Sequence, residues 1–204
     1  MSELLPDWES PVLHLTSSES TQDLARKMAE EGSPEWTLII ADRQTHGRGR
    51  LGRKWGSTQG GLYLSLILRP EVPPTALAHL SLTAASSVAK ALSEISRLHT
   101  AVKSPNDVLA APATDQPVPA ASSLKKICGI LAEASGSSTR TEWVALGIGI
   151  NVNNKLPKSL QKKAGSLAEL AGREFEIPEI LRAILGEFRK QYALFLNTYR
   201  RGLS

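Results

Sequence analysis

The sequence predicts an α+β domain built around a mixed β-sheet. Three observations carry this. Short apolar runs at 12–15, 36–41, 62–68, 101–103, 126–133 and 143–152 have strand length, but helix-like segments do not separate them in strict βαβ alternation. The last two runs follow one another across Gly136-Ser137-Ser138-Thr139, a turn-rich tetrapeptide suited to joining adjacent strands. The C-terminal third reads as helix, ending in a long amphipathic stretch from about Glu179 to Tyr199. A chain of 204 residues fits one domain, or one plus a small appendage, and buries a core without staples.

The elements follow in order. Val12–Leu15 is a short strand. Ser20-Thr21-Gln22-Asp23 opens a helix, with Ser20 and Asp23 at capping-box spacing and Leu24 and Met28 on its apolar stripe. Trp36–Ala41 and Leu62–Leu68 are strands, the second apolar enough to be buried on both faces. Thr75 is placed to cap a helix whose Leu77, Leu80, Ala84, Val88 and Ala91 share a face. Ala101-Val102-Lys103 begins a strand that Ser104-Pro105-Asn106-Asp107 turns. Residues 110–123 form a Pro/Ala/Ser loop, expected to be exposed and mobile.

Charge is local. Lysine and arginine (24) exceed aspartate and glutamate (20) by only four, yet Arg43, Arg48, Arg50, Arg53 and Lys54 fall within residues 43–56. Without them the remainder carries −1, and no acid occurs between Arg43 and Pro70. Gly47, Gly49 and Gly52 alternate with these cations. Glycine lets backbone approach a ligand closely, and arginine grips phosphate with a planar fork of donors. The stretch reads as a mobile loop that closes over an anion, with a solvated basic face or a nucleic-acid patch as the plain alternatives. The single cysteine, Cys128, excludes an internal disulfide framework and is expected to be a small buried hydrophobe. Four histidines and one cysteine show no metal-ligand spacing. No secretory signal or membrane-length apolar run is present, so a soluble cytoplasmic protein is expected.

Three further constellations are candidates. Lys126 opens the apolar run Ile127–Ala132, as a functional cation or as an edge gatekeeper with a snorkelling amine. Lys103-Ser104-Pro105-Asn106-Asp107 groups a cation, an amide and a carboxylate; Asp107 is either a Mg²⁺ ligand or part of an ordinary turn. Gly147-Ile148-Gly149-Ile150-Asn151-Val152-Asn153 is a strand whose glycines mark close approach by a ligand or a bulge, without dinucleotide-fingerprint spacing.

Taken in order, these motifs resemble the biotin–protein ligase family of the biotin/lipoate ligase superfamily. They are Ser20-Thr21, Gln44-x-x-Gly47-Arg48-Gly49-Arg50-x-Gly52-Arg53-x-Trp55, Lys103-x-Pro105-Asn106-Asp107, Lys126-x-x-Gly129-Ile130-Leu131-x-Glu133 and the Gly147–Asn153 strand. The likeness covers roughly residues 10–200. It implies the class II aminoacyl-tRNA-synthetase-like catalytic fold over residues 1–204, with neither an N-terminal helix-turn-helix nor the small SH3-like C-terminal domain typical of the family. It implies ATP-dependent formation of biotinyl-5′-AMP and transfer of biotin to a lysine of a biotin carboxyl carrier protein.

By the same resemblance Ser20, Thr21, Gln44, Gly47, Arg48, Trp55, Lys126 and Gly129 bind biotin. Arg48, Arg50, Arg53, Asn106, Asp107 and Asn151 bind the nucleotide, and Asp107 takes Mg²⁺ through ATP. Lys126, Arg48 and Arg50 are the catalytic cations. Neither nucleic acid nor membrane is an expected partner, and a homodimer is compatible with the likeness. Ser104 stands where the family usually has tryptophan. A lipoate–protein ligase and a non-catalytic module that binds biotin or biotinyl-AMP are the alternatives.

Overall fold

The computed structural model describes residues 5, 8–113 and 123–200. Seven strands make one sheet in the order β1-β2-β3-β7-β6-β5-β4. They are β1 (Val12–Leu15), β2 (Leu38–Ala41), β3 (Leu62–Leu68), β4 (His99–Lys103), β5 (Asp107–Ala111), β6 (Lys125–Gly136) and β7 (Thr141–Ile150). Only β1 and β2 run parallel; the other neighbours are antiparallel, so the sheet is mixed as the sequence predicts. Most of the predicted 110–123 loop lies outside the described residues, and its first two positions, Ala110 and Ala111, finish β5.

The two faces of the sheet are covered differently. α2 (Leu77–Ser96) and α4 (Ile177–Arg200) cover one face with a continuous apolar layer. Leu80, Ala84, Val88 and Leu92 of α2 recur at four-residue spacing and are buried against Ile180, Ile184, Phe188 and Tyr192 of α4. On the other face lies α1 (Thr21–Glu30), whose Ala25 and Ala29 rest on Ile39, Ile67, Trp143 and Ala145. Leu24 and Met28, the predicted stripe, only flank that contact. Alanines bring the helix close enough for Thr21 and Gln22 to be buried at its start.

Three boundaries differ from the sequence reading. β2 starts at Leu38 rather than Trp36, because Trp36 takes φ 66° and sends its ring into Trp8, Phe188 and Tyr192 at 5.3–6.0 Å. Such a backbone is costly for a bulky residue, and the aromatic cluster holds it. Thr75 does not cap α2; it lies in a preceding 3₁₀ turn, Pro74–Ala76, which leads into the helix without a side-chain cap. Not all of the C-terminal third is helical. Residues 151–166 form turns before the short helix α3 (Leu167–Ala171), which Ser166 caps through the Glu169 amide.

Candidate active site

Strand alternation builds the floor of a cavity. On β7 Leu146, Ile148 and Ile150 face the α2/α4 core, while Ala145, Gly147 and Gly149 face the other side. α1 covers that side only as far as Ala145. Beyond it the sheet surface is Gly147, Gly149 and their β6 partners Leu131 and Gly129. The Gly/Arg loop folds over this patch and encloses about 270 Å³, near the lower end for small-molecule sites.

The glycines are there because side chains from elsewhere occupy the space above them. A Cβ on Gly149 would lie 2.5 Å from Trp55 Nε1, and one on Gly129 would lie 2.9 Å from Trp55 Cζ3. A Cβ on Gly147 would lie 2.5 Å from Gln22 Oε1. The Trp55 indole therefore lies on the bare backbone of two paired strands. Its N–H is buried without a hydrogen-bond partner among the described residues.

At the α1 end, polar side chains form a continuous chain. Thr21 N and Oγ1 both donate to Gln44 Oε1 (2.8 and 3.1 Å), and Gln44 Nε2 donates to Ser57 Oγ (2.8 Å). Ser65 Oγ, fully buried on β3, lies 3.0 Å from Thr21 Oγ1 and 3.1 Å from Gln22 Oε1. Gln22 Nε2 donates to Ala145 O and to Glu133 Oε2, each 2.9 Å. Glu133 and Asp23 in turn hold Arg48, at 2.8 and 2.5 Å. Their negative charge raises the guanidinium pKa against the opposing effect of burial, so Arg48 is always a cation.

A β-bulge aims the second end of the site. Val108 pairs with Cys128 but Leu109 pairs with Lys126, which leaves Ile127 as an extra residue in β6. Ile127 and Cys128 both enter the main core. Strict alternation would send Lys126 to that core face with Cys128; the bulge returns it to the cavity. There Nζ lies 2.7 Å from Asp107 Oδ1 and 5.2 Å from the centre of the Trp55 ring. Arg50 Nη1 donates to Asn106 Oδ1 (2.9 Å), whose Nδ2 donates to Ile130 O (2.9 Å). The loop is thus pinned at Arg48, Arg50 and Trp55, where the sequence alone suggests uncompensated charge and mobility. The side chains of Arg53 and Lys54 have no hydrogen-bond or ion-pair partner among the described residues.

The sequence model of the biotin/lipoate A/B protein ligase family matches residues 13–151. The chain belongs to this family. It is 39% identical over 182 residues to the bifunctional ligase/repressor BirA of Bacillus subtilis, covering 87% of this chain and 52% of that protein. It is 37% identical over 142 residues to the biotin–[acetyl-CoA-carboxylase] ligase of Paracoccus denitrificans, covering 68% and 53%. The chain thus spans about half the length of these curated relatives. Among solved structures, the biotin protein ligase from Aquifex aeolicus in complex with biotin and ATP superposes with a TM-score of 0.74 at 34% identity, over 92% of this chain and 72% of that one.

Of the residues that the family resemblance singles out, Thr21, Gln44, Arg48, Arg50, Arg53, Trp55, Asn106, Asp107, Lys126 and Gly129 line the cavity. Ser20, Gly47 and Asn151 do not. Ser20 is buried as the N-cap of α1, accepting from the Asp23 amide; the Asp23 carboxylate goes to Arg48. Gly47 lies at a crossing of the loop, where a Cβ would lie 2.6 Å from both Ser57 Oγ and Trp55 O. Asn151 is buried behind β6, donating to Gly165 O and accepting from Asn154. These bonds tie the turns after β7 together.

Gln22, Ser65 and Glu133 are parts of the site that residue-level reading passed over. Ser65 leaves a trace in the sequence as the one hydroxyl inside the apolar run of β3 besides the phenol of Tyr63. Gln22 leaves none, since a glutamine in the first turn of a helix is ordinary. Burial pushes the Cys128 thiol well above its usual range, so it is no nucleophile at neutral pH. No described helix is long and apolar enough to cross a membrane, and no metal-holding cluster of three or more His, Cys, Asp or Glu occurs among the described residues.

Proposed function

We propose that this chain is the catalytic domain of a cytoplasmic biotin–protein ligase. It condenses biotin with ATP to biotinyl-5′-AMP and then passes biotin to a lysine of a biotin carboxyl carrier protein. One observation carries the reading: a single cavity has a neutral hydrogen-bonding end at Thr21, Gln22, Gln44 and Ser65 and a cationic end at Lys126, Arg50 and Arg53. Ser65 on β3 and Asp107 on β5 are three strand spacings apart, or about 14 Å. That arrangement suits a molecule with a compact polar head, an apolar stem over the glycine floor and a carboxylate that is to be adenylated.

In the first step a biotin carboxylate oxygen attacks the α-phosphorus of ATP, and the bond to the β-phosphate bridging oxygen breaks to release pyrophosphate. Negative charge grows on the α-phosphoryl oxygens. Lys126 and Arg50 stabilise it as cations already fixed by Asp107 and by Asn106, while Arg48, held by Asp23 and Glu133, anchors the loop from the α1 end. In the second step the neutral amine of the acceptor lysine attacks the acyl carbon, AMP departs and the amine proton is lost. The loop over the cavity keeps water from the anhydride in between.

Asp107 fits an ATP-borne Mg²⁺ as its one protein carboxylate, the usual complement when phosphates and waters complete the shell. The ion would neutralise phosphate charge. Lys126 and Asp107 would part as the lysine turns to the substrate anion.

Pyrophosphate release tests the reading. Release with biotin and ATP, and little with lipoate, is expected. Release with lipoate alone would favour a lipoate ligase, and release with neither would leave a binding module.

A further inference from the structure

Glu133 does not line the cavity, yet its carboxylate joins two parts of the site. It lies on β6 opposite Ala145 of β7. Its Oε2 accepts from Gln22 Nε2 (2.9 Å) and its Oε1 from Arg48 Nη2 (2.8 Å), with Arg26 Nη1 farther off at 3.9 Å. Gln22 belongs to the first turn of α1 and Arg48 to the Gly/Arg loop. One side chain therefore connects the neutral end of the cavity to the loop that folds over it.

The direction of each hydrogen bond fixes what the neutral end offers a ligand. Gln22 Nε2 uses both its hydrogens, on Glu133 Oε2 and on Ala145 O (2.9 Å each). Gln22 Oε1 is therefore the end of the amide that faces Ser65 Oγ, at 3.1 Å. Both Thr21 donors go to Gln44 Oε1, and Gln44 Nε2 keeps one hydrogen beyond the one given to Ser57. The single hydroxyl hydrogen of Ser65 has Thr21 Oγ1 (3.0 Å) and Gln22 Oε1 as its acceptors. Toward the cavity this leaves one N–H, from Gln44, and acceptor capacity on Gln22 Oε1, Thr21 Oγ1 and Ser65 Oγ. A cyclic urea, with a carbonyl flanked by N–H groups, matches that pattern. A dithiolane ring, with no N–H, does not.

We propose that Glu133 is a positioning residue for the polar head of the substrate. By holding Gln22 Nε2 it keeps Gln22 Oε1 as the acceptor for one N–H of that head, which makes Gln22 a specificity-determining residue. This rests on the ligase reading and adds how the head is recognised. A carboxylate accepts at both oxygens, whereas a carboxamide accepts at one end and donates at the other. Glu133→Gln keeps the shape but serves only one of its two donors. With its oxygen turned to the Arg48 cation, it presents an amide N–H to Gln22. Gln22 then either meets donor with donor or rotates, and rotation aims Nε2 at the substrate N–H. A buried polar group left unsatisfied costs more than a made bond contributes.

The test uses the full chain, Glu133→Gln and Gln22→Met, a change that nearly keeps volume while removing the amide. Thermal melting checks that both fold. Calorimetry measures binding of biotin and of its two N-methyl derivatives, one with the methyl on each ureido nitrogen. Biotin should bind at least about tenfold more weakly to either variant. One N-methyl derivative should bind the wild type more weakly than biotin does. That deficit should shrink several-fold in Gln22→Met, where acceptor and N–H are lost together. In pyrophosphate release the KM for biotin should rise while the KM for ATP stays unchanged, a split that a general loss of structure would not produce.

Unchanged biotin affinity in both variants overturns the proposal. Equal losses for biotin and for both derivatives overturn it too, assigning Gln22 and Glu133 to packing alone. No binding of biotin by the wild type overturns it together with the ligase reading. The ligase reading fails separately if the wild type binds biotin but releases no pyrophosphate.

Discussion

Lys126 Nζ and Asp107 Oδ1 stand 2.7 Å apart, one from β6 and the other from β5, with the ammonium over the Trp55 ring at 5.2 Å from its centre. The pair stores the cation that the chemistry needs, held in place by a carboxylate until a substrate anion competes for it. Charge-assisted contacts of this kind contribute about 1.5–3 kcal/mol where water is excluded. Lys126→Ala should therefore slow biotin-dependent pyrophosphate release by about 10- to 150-fold and leave the thermal midpoint nearly unchanged. A near-normal rate would remove Lys126 from the mechanism and point to Lys125, which the structure pairs with Glu169 at 2.8 Å.

Gly149 tests the floor. An added Cβ would meet Trp55 Nε1 at 2.5 Å, so Gly149→Ala must displace the indole. Biotin binding, followed by calorimetry, should weaken on the order of tenfold, and Gly149→Val should weaken it further. Intact binding in both variants would show that the ring is not part of the ligand's wall.

The pins on the Gly/Arg loop make a separate expectation. Glu133→Gln with Asp23→Asn removes both carboxylates from Arg48. Trypsin should then cut within residues 48–54 several-fold faster than in the wild type, since local opening sets the cleavage rate. Biotinyl-AMP should suppress cutting in either protein. Equal rates with and without the two carboxylates would mean that Arg48 does not hold the loop.

A stability control lies away from the site, between α2 and α4. Glu187 accepts a hydrogen bond from Lys90 Nζ at 3.0 Å, which holds its carboxyl below the ordinary value of 4.5 despite burial. A depressed carboxylate contributes stability that is complete above its unfolded pKa and is lost as pH falls through the folded one. Glu187→Gln should thus flatten the acid limb of the stability–pH curve below about pH 4.5 without altering pyrophosphate release at neutral pH. An unchanged acid limb in denaturant titrations would show that the pair adds nothing.

Most strands and helices were legible in the sequence because apolar runs of strand length and the helical period of the C-terminal segment are local properties; β5 (Asp107–Ala111) was not, since its residues read as the end of a turn and the start of a loop. The Gly/Arg loop was legible for the same reason: its charge and glycines are written in consecutive residues. Which side each residue faces was not. Alternation alone puts Lys126 with Cys128 in the core. A single extra residue, Ile127, reverses it, and such a bulge exists only in the pairing of β6 with β5. Asn151 reads like the end of a ligand-facing strand, yet β7 has ended one residue earlier and its side chain closes onto Gly165. The vacancies at Gly147 and Gly149 are visible in the sequence, but their occupants, Gln22 and Trp55, come from far along the chain. Composition and period thus determined most of the elements and the concentration of cations and glycines in one loop. Long-range packing decided which side chains share one cavity, because contacts between distant segments depend on register and face rather than on any local pattern.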